Sequence, residues 1–304
     1  MTSELVHDAE WAFAAYESAR HRMPSPAFPA QTHAVDNLAE LAGDFDLFLL
    51  DAFGVLNRGD QVVPGAPERI AQLRAMGKKV LVVSNASGFP KHMLMQKYQR
   101  LEFDFTPDDV LCSREILTAR LMEMPRVLNG VIASDAYPHT ELDALDCVYL
   151  ADDRTEFDRA ERIVFLGVAG WNDDRQEMLE ASLADKPRPV IVGNPDIVAP
   201  RISGFSREPG FFSHHLADKT GITPEFCGKP YGPMFETALK QVGQGIDRSR
   251  ILMVGDTLQT DILGGRAAGL KTALITGHGA MRGMDIGSAI TRSGIVPDYV
   301  MTNP

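Results

Sequence analysis

The sequence predicts an α/β protein with an open parallel β-sheet, helices on its faces, and a second, smaller α/β unit in the middle of the chain. Three neighbouring segments support this prediction. Residues 45–50 form a short apolar run, as expected of a strand buried on both faces. Residues 66–76 place apolar side chains on one helical face and stop before Gly77, and residues 79–83 form another apolar run. A strand, a helix and a strand in this order imply a right-handed crossover between parallel strands.

The same alternation recurs in the rest of the chain. Toward the C-terminus, the pattern predicts a helix at 234–242 and strands at 251–254 and 272–275. In the middle, it predicts strands at 127–133, 162–170 and 189–196 and a helix at 175–184. The middle region is therefore α/β as well, and it is long enough to be a domain of its own.

Composition and charge exclude several classes of partner. The chain has 304 residues and a formal net charge of -11. Nucleic acids and anionic membranes are themselves negative, so this charge argues against both. Cys112, Cys147 and Cys227 lie far apart, and we interpret them as core thiols in a reducing compartment. No apolar run reaches the roughly 20 residues of a membrane helix, and the first residues lack the pattern of a signal peptide. We therefore expect a cytoplasmic protein.

Polar side chains follow several predicted strands. They are Asp51, Ser84, Lys229, Asp256 and Asp261. Ligands of open α/β sheets bind where strands end. Each residue taken alone also has an ordinary interpretation, as a turn or helix cap for Asp51 and Ser84 and as a solvated loop residue for Lys229.

Asp256 and Asp261 give the most specific signal among these residues. They lie in one loop after an apolar strand, and the sequence places no cation beside them. Crowded carboxylate oxygens of this kind favour Mg²⁺. Lys229 stands between Gly228 and Pro230, a rigid setting for an ammonium group that holds a nucleophile and a transferring group.

In this order, the five residues resemble the four motifs of the haloacid dehalogenase superfamily, which mostly comprises Mg²⁺-dependent phosphatases. The resemblance covers residues 45–279 and includes the strings SNAS, NPD, GKP and GDTLQTDILGG. Asp51 and Ser84 are 33 positions apart (84 − 51), whereas Ser84 and Lys229 are 145 apart (229 − 84), so the long insertion follows the second motif. That placement resembles subclass IIA, the 4-nitrophenylphosphatase-like and sugar- or nucleotide-phosphatase-like enzymes, which carry an α/β cap there.

The resemblance implies a Rossmann-like, doubly wound parallel sheet as the core, with the cap inserted into it. The core is predicted at 41–114 and 221–304, and the cap at 115–220. Residues 1–40 are predicted to be a helical extension followed by a proline-containing linker, and we find no recognisable chemistry in them.

The resemblance also implies the catalytic roles. Asp51 is the nucleophile and forms an aspartyl-phosphate, while Ser84 and Lys229 bind the phosphoryl oxygens. A carboxylate that attacks a dianion needs a metal and an ammonium to offset the charge repulsion. The implied Mg²⁺ ligands are Asp51, the backbone carbonyl of Phe53, Asp256 and Asp261. Substrate contacts are expected from Asn85, Asn194 and Asp196, although a tight turn explains the last two equally well.

One position departs from the family pattern. Phosphatases of this superfamily carry a second aspartate two residues after the nucleophile, as a general acid and base, and here that position is Phe53. General acid–base catalysis contributes roughly 10²–10⁴ in rate. The protein is then a slow phosphatase, or one helped by a cap residue such as Asp196 or a histidine. The loss of this acid slows the hydrolysis of substrates with good leaving groups least.

Two other functions stay open. The first is a catalytically weakened relative that binds a phosphometabolite or a protein partner. The second is a dehalogenase-like hydrolase, which ranks third because those enzymes place the cap after the first motif and need no metal. The ranked prediction is a Mg²⁺-dependent hydrolase of a small phosphorylated metabolite. Contact between copies through the cap is left open.

Overall fold

The computed structural model describes residues 9–201 and 204–304. The strands of the described residues are β1 His33–Ala34, β2 Leu47–Leu50, β3 Asn57–Arg58, β4 Gln61–Val62, β5 Lys79–Ser84, β6 Val110–Cys112, β7 Asn129–Ile132, β8 Cys147–Tyr149, β9 Arg162–Phe165, β10 Val190–Val192, β11 Val198–Pro200, β12 Phe205–Arg207, β13 Glu225–Phe226, β14 Ile251–Gly255, β15 Lys271–Ile275 and β16 Tyr299–Met301. The α-helices are α1 Ala9–Ser18, α2 Ala66–Ala75, α3 Lys91–Arg100, α4 Ser113–Glu123, α5 Arg154–Arg159, α6 Asp173–Asp185, α7 Pro209–Thr220, α8 Gly232–Val242, α9 Leu263–Ala267 and α10 Ile286–Ser293.

The main sheet has seven parallel strands in the order β1-β16-β15-β14-β2-β5-β6. From β2 the chain runs through β5 to β6 in one direction, whereas from β14 it runs through β15 to β16 in the other. The strand order therefore reverses between β2 and β14, and a crevice that can hold a ligand opens at their carboxyl ends.

Helices cover both faces of this sheet, because β2 is apolar on both of its sides. Phe48 and Leu50 pack in one core together with residues of α2 and α3. Leu47 and Leu49 point to the opposite face and pack with residues of α4 and α8. All four side chains are fully buried. The doubly wound α/β core predicted from the sequence is confirmed.

A second sheet of five parallel strands has the order β13-β10-β9-β7-β8. Its own core includes Phe157, Phe165, Trp171 and Leu179. The division of the chain at 114/115 and 220/221 stays a prediction. Strand β13 pairs with this second sheet although it follows the predicted second boundary, and β1 pairs with the main sheet although it precedes 41. We use "cap" for residues 115–220.

Two short antiparallel hairpins accompany the sheets. One, β3–β4, follows the loop after Asp51, and the other, β11–β12, follows Asp196. Among the described residues no helix is long and apolar enough to cross a membrane. Cys112 and Cys227 are buried, as expected of core thiols, but Cys147 is only half-buried because β8 is an edge strand of the second sheet.

Helix α1 and the residues just after it contact both the core around the main sheet and the cap. Trp11 packs against the ring of Phe211 in α7, with 5.9 Å between ring centroids. Gln259, in the loop after β14, donates to Glu17 Oε1 at 2.7 Å. Arg22, just after α1, pairs with Asp218 of α7. The N-terminal extension is therefore bound to both the core and the cap.

Candidate active site

The predicted site residues meet at the crevice between β2 and β14. Asp51 follows β2, Ser84 ends β5, and Asp256 follows β14. Because β2 pairs with both β5 and β14, three chain segments far apart in sequence end side by side. Lys229 enters from the loop between β13 and α8.

Lys229 is the electrostatic centre of the site. Its Nζ lies 2.5 Å from Asp51 Oδ1 and 2.7 Å from Asp261 Oδ1, and its side chain is 2% exposed. Burial lowers the pKa of Lys229, but the charges of Asp261 and Asp51 outweigh that effect and raise the pKa overall. Lys229 is therefore a permanent cation that touches the predicted nucleophile.

The three aspartates form a compact acidic cluster. Asp51, Asp256 and Asp261 each offer a carboxylate oxygen, and these oxygens lie within 4.8 Å of one another. Burial, with Asp51 and Asp261 nearby, raises the pKa of Asp256 well above its usual range. Burial also raises the pKa of Asp51 to about 6, against the opposing effect of Lys229. One ammonium cannot neutralise three carboxylates, so the set of oxygen donors fits a hard divalent cation such as Mg²⁺.

Local hydrogen bonds hold the two loop aspartates in place. Asp256 accepts from the hydroxyl of Thr257 at 2.8 Å and from the backbone N–H of Ala280 at 2.7 Å. Asp261 Oδ2 accepts the N–H groups of Asp256 and Thr257 at 3.1 and 3.2 Å. Asp261 lies in a wide, π-type turn, Leu258–Ile262, that leads into α9.

Two glycines permit the close approach of the loops around Asp256. Gly54 has a φ of 74°, and a Cβ added there would lie 2.4 Å from Asp256 Oδ2. A Cβ on Gly279 would lie 1.8 Å from the same oxygen. Any side chain at either position would displace the carboxylate.

Ser84 and Asn85 have different local roles. Ser84 Oγ accepts the N–H of Ala86 at 3.2 Å and keeps its own proton for a ligand. The side chain of Asn85 holds the backbone of Lys229: its oxygen accepts the Lys229 N–H at 2.7 Å, and its amide donates to the Lys229 carbonyl at 2.9 Å. The same amide donates to Asp196 Oδ1 at 2.8 Å. Both amide protons of Asn85 are thus used within the protein, and substrate contact by Asn85 stays a prediction.

Residues of the cap lie on the other side of the site from the acidic cluster. Asn194 Oδ1 accepts the backbone N–H of Asp196 at 2.9 Å, which is the tight-turn geometry. Asp196 lines the cavity and is partly exposed to it. Burial chiefly raises the pKa of Asp196 to about 8, while Lys229 and the hydrogen bond from Asn85 oppose the rise. Substrate contact by Asn194 and Asp196 also stays a prediction.

One cavity joins most of these groups. It has a volume of about 580 Å³. The predicted site residues that line it are Asp51, Phe53, Ser84, Asn85, Asn194, Asp196, Lys229 and Asp256. Asp261 is fully buried behind Lys229. No histidine lies among the lining residues that the structure describes. The aromatic side of the cavity includes Phe89 of the core and Tyr137 of the cap, whose ring centroids lie 6.1 Å apart.

Sequence reasoning missed Tyr16. This side chain of α1 lines the cavity, although no chemistry was recognised in the N-terminal extension. Its hydroxyl accepts the backbone N–H of Ile197 at 3.2 Å, next to Asp196. The available signal was the apolar pair Phe13 and Tyr16, three residues apart on one helical face, because a buried tyrosine hydroxyl usually has a partner.

Comparisons with known proteins show the family of this chain. A family model described as haloacid dehalogenase-like hydrolase matches residues 48–139, and a HAD-hydrolase-like model matches residues 226–302. Chronophin of Bos taurus is 31% identical over 275 residues, which cover 86% of this chain and 92% of chronophin. The chain belongs to the haloacid dehalogenase-like hydrolases. The resemblance stated from the motifs is confirmed, as is the assignment as an enzyme of the hydrolase class.

Two further similar proteins are named as phosphatases. The 4-nitrophenylphosphatase of Schizosaccharomyces pombe is 26% identical over 278 residues, which cover 86% of this chain and 92% of that protein. A solved structure described as a "possible sugar phosphatase" from Cytophaga hutchinsonii superposes with a TM-score of 0.75 at 25% identity, covering 90% of this chain and 98% of that one. The similarity extends over both the core and the cap.

Proposed function

We propose that this hydrolase is a Mg²⁺-dependent phosphatase that acts on a small phosphorylated metabolite through an aspartyl-phosphate on Asp51. The observation that carries the proposal is the buried ammonium of Lys229 in contact with both Asp51 and Asp261. A nucleophile, a fixed cation and a set of metal ligands thereby occupy one end of the cavity. The phosphatase names of similar proteins support the same reaction class.

In the first step, a carboxylate oxygen of Asp51 forms a bond to phosphorus while the bond to the leaving oxygen breaks. Lys229 offsets the repulsion between the carboxylate and the phosphoryl dianion, and the hydroxyl of Ser84 donates to a phosphoryl oxygen. In the second step, water attacks the aspartyl-phosphate, which releases phosphate and restores Asp51.

The residues that would hold Mg²⁺ are Asp51, Asp256, Asp261 and the backbone carbonyl of Phe53. The fit rests on the excess of buried carboxylates over ammonium groups in the cluster. When bound, Mg²⁺ polarises the phosphoryl oxygens and offsets their charge. The cytoplasmic location and contact between copies through the cap stay predictions.

The test is phosphate release from a panel of phosphate monoesters that includes 4-nitrophenyl phosphate, with and without Mg²⁺. We expect Mg²⁺-dependent turnover by the wild type and none by Asp51→Asn. The matched control is Asp44→Asn, an exposed carboxylate just before the same strand, which is expected to keep wild-type activity. Equal activity of Asp51→Asn and the wild type would overturn the mechanism.

The alternative functions give different outcomes in the same panel. A binding protein releases no phosphate, yet its melting temperature rises with several of the esters. A dehalogenase releases halide from 2-haloacids without Mg²⁺. The acidic cluster disfavours this third function, because a reaction without a metal does not need three carboxylates whose oxygens lie within 4.8 Å of one another.

A further inference from the structure

We propose that Asp196 donates the proton to the leaving group, the task that Phe53 cannot perform. This inference rests on the proposed phosphatase function and deepens it. It assigns a second catalytic carboxyl group to the cap side of the cavity. In this chain the acid would come from the loop after β10 and not from the loop after β2.

Phe53 itself offers no proton. Its ring is partly buried, and the ammonium of Lys97 lies 4.5 Å from the ring centroid. Burial lowers the pKa of Lys97 to about 8, and the charges that act on it are those of Asp60, Arg201 and Arg100. None of these belongs to the acidic cluster. Lys97 is also not among the described residues that line the cavity, so it is a weaker candidate for the proton donor.

Asp196 faces the acidic cluster. It lines the same cavity as Asp51, Ser84 and Lys229. Its Oδ1 accepts from Asn85, the residue that also holds the backbone of Lys229. The Asp196 carboxyl is thus linked through one side chain to the backbone of the lysine that touches the nucleophile.

The backbone around Asp196 is fixed on several sides. Its N–H donates to Asn194 Oδ1 at 2.9 Å, and its carbonyl accepts the N–H of Gly210 at 3.0 Å. The next residue, Ile197, donates to the hydroxyl of Tyr16. In the described part of the chain, Oδ2 of Asp196 makes no hydrogen bond, so it is free to carry the proton and to turn it toward a ligand. A general acid needs this combination of a fixed backbone and a free oxygen.

The surroundings keep the proton on Asp196 at neutral pH. The charged and titratable groups that act on it most strongly are Lys229, Asp51 and Asp261 of the core, and Tyr16 of α1 lies beside it. Asp256, Arg201, Arg207 and Glu208 line the same cavity. Burial and the two aspartates favour the neutral carboxyl, and Lys229 and the amide of Asn85 oppose them. In the metal-free protein, the pKa of about 8 leaves the group mostly protonated at pH 7.

Every proton that Asp196 gives up in this reaction is returned to it. As the Asp51–phosphorus bond forms and the bond from phosphorus to the leaving oxygen breaks, the Asp196 proton moves to that oxygen. The alcohol departs and Asp196 is left as a carboxylate. It then takes a proton from the water that attacks the aspartyl-phosphate, so both aspartates return to their starting state.

The test compares 4-nitrophenyl phosphate with phenyl phosphate, which has a similar shape but a poorer leaving group. In Asp196→Asn we expect kcat/KM to fall by about 10²-fold or more for phenyl phosphate and by less than about tenfold for 4-nitrophenyl phosphate. For the wild type with phenyl phosphate, kcat/KM should decline as pH rises through the pKa of the acid. Asp196→Asn should lack that decline. Asp174→Asn, an exposed cap carboxylate, is the matched control.

A purely structural contact between Asp196 and Asn85 would lower both activities by the same factor, and that result overturns the inference. The double variant Phe53→Asp/Asp196→Asn provides a second test, and its melting temperature shows whether it folds. Recovery of phenyl phosphate hydrolysis supports the inference, because a carboxyl at 53 replaces an acid but not a contact with Asn85. No recovery in a folded double variant counts against it. The proposed function is judged separately, by Mg²⁺-dependent activity of the wild type on 4-nitrophenyl phosphate, and an inactive wild type overturns both.

Discussion

The ammonium group of Lys229 lies 2.5 Å from Asp51 Oδ1, and this contact joins residues 178 positions apart in the chain. Asp51 is fixed by the end of β2, whereas Lys229 is held by the side chain of Asn85 through its backbone N–H and carbonyl. The proposed nucleophile and its cation are therefore positioned by different parts of the core. Substitution of either residue should affect both the stability and the chemistry of the site.

Replacement of Lys229 by methionine should abolish turnover and destabilise the fold. The change leaves Asp51 and Asp261 without their cation, and breaking a buried pair in this way costs about 3–5 kcal/mol. Urea unfolding at pH 7 measures the cost. Arg126→Met is the control, because Arg126 and its partner Asp146 are 70% and 52% exposed and exposed pairs contribute about 1 kcal/mol or less. Equal losses in the two variants would contradict this account.

Mg²⁺ should stabilise the protein through the acidic cluster. At a concentration about 100 times the dissociation constant, a ligand specific for the folded state adds about 2.7 kcal/mol. We expect the melting temperature to rise with Mg²⁺ in the wild type and in Asp44→Asn, and to rise far less in Asp256→Asn, which lacks one of the proposed ligands. A full response in Asp256→Asn would place the metal elsewhere.

A methyl group on Gly279 should impair the metal site without unfolding the chain. The added Cβ would lie 1.8 Å from Asp256 Oδ2, so the carboxylate or the loop must move. Gly279→Ala is expected to weaken Mg²⁺ binding about tenfold or more in titration calorimetry, and tenfold corresponds to about 1.4 kcal/mol of lost affinity. Gly287→Ala in α10 is the matched control, because its Cβ meets only Asp285 Oδ1 at 3.4 Å. Unchanged binding in Gly279→Ala would show that the loop adapts freely.

The sequence alone was enough to predict the parts of the site that sit at strand ends. Asp51 and Asp256 each follow an apolar strand and Ser84 ends one, and the carboxyl ends of parallel strands meet at one edge of the sheet. The doubly wound core follows from the same alternation of strands and helices. These features depend on local patterns, which a single sequence displays.

Contacts between segments far apart in the chain could not be predicted, because no local sequence pattern indicates them. The amide of Asn85 is directed to Lys229 and Asp196, which are 144 and 111 positions away. The hydroxyl of Tyr16 meets Ile197 across 181 positions. The identity of Asn85 or Tyr16 predicts that a buried polar group needs a partner, but not which partner it finds.

The hydroxyl of Tyr16 should stabilise the loop that carries Asp196. Tyr16→Phe leaves the N–H of Ile197 without an acceptor in a buried setting, which costs about 1–3 kcal/mol. We expect the free energy of unfolding to fall by that amount. Tyr149→Phe is the control, because Tyr149 is 48% exposed. A Tyr16→Phe variant as stable as the wild type would show that the Ile197 N–H finds another acceptor.

The stability of the metal-free protein should depend on pH through Asp196. Its folded-state pKa of about 8 is above the ordinary value of 3.8, so the folded protein holds a proton that the unfolded chain has released. Stability from this group is therefore lost as pH rises toward 8. His214 affects stability mainly at lower pH. Burial lowers its pKa from 6.5 to about 4, so the unfolded chain gains a proton as pH falls below 6.5 and the folded state loses stability there. Between pH 6.5 and 7.5 the loss of folding stability due to Asp196 is about 1 kcal/mol, since the release of one proton corresponds to 1.36 kcal/mol per pH unit.

The measurement is urea unfolding with a chelator present at pH 6.5, 7.0 and 7.5. The wild type should lose stability across this range, and Asp196→Asn should lose less by about 1 kcal/mol, because it has no proton to release. The shifted pKa values of Asp51, Lys97 and Asp256 affect both proteins and cancel in the difference. Asp174→Asn should follow the wild type. The same pH slope in Asp196→Asn and the wild type would mean that Asp196 is already ionised in the folded protein, and a carboxylate at that position has no proton to give a leaving group.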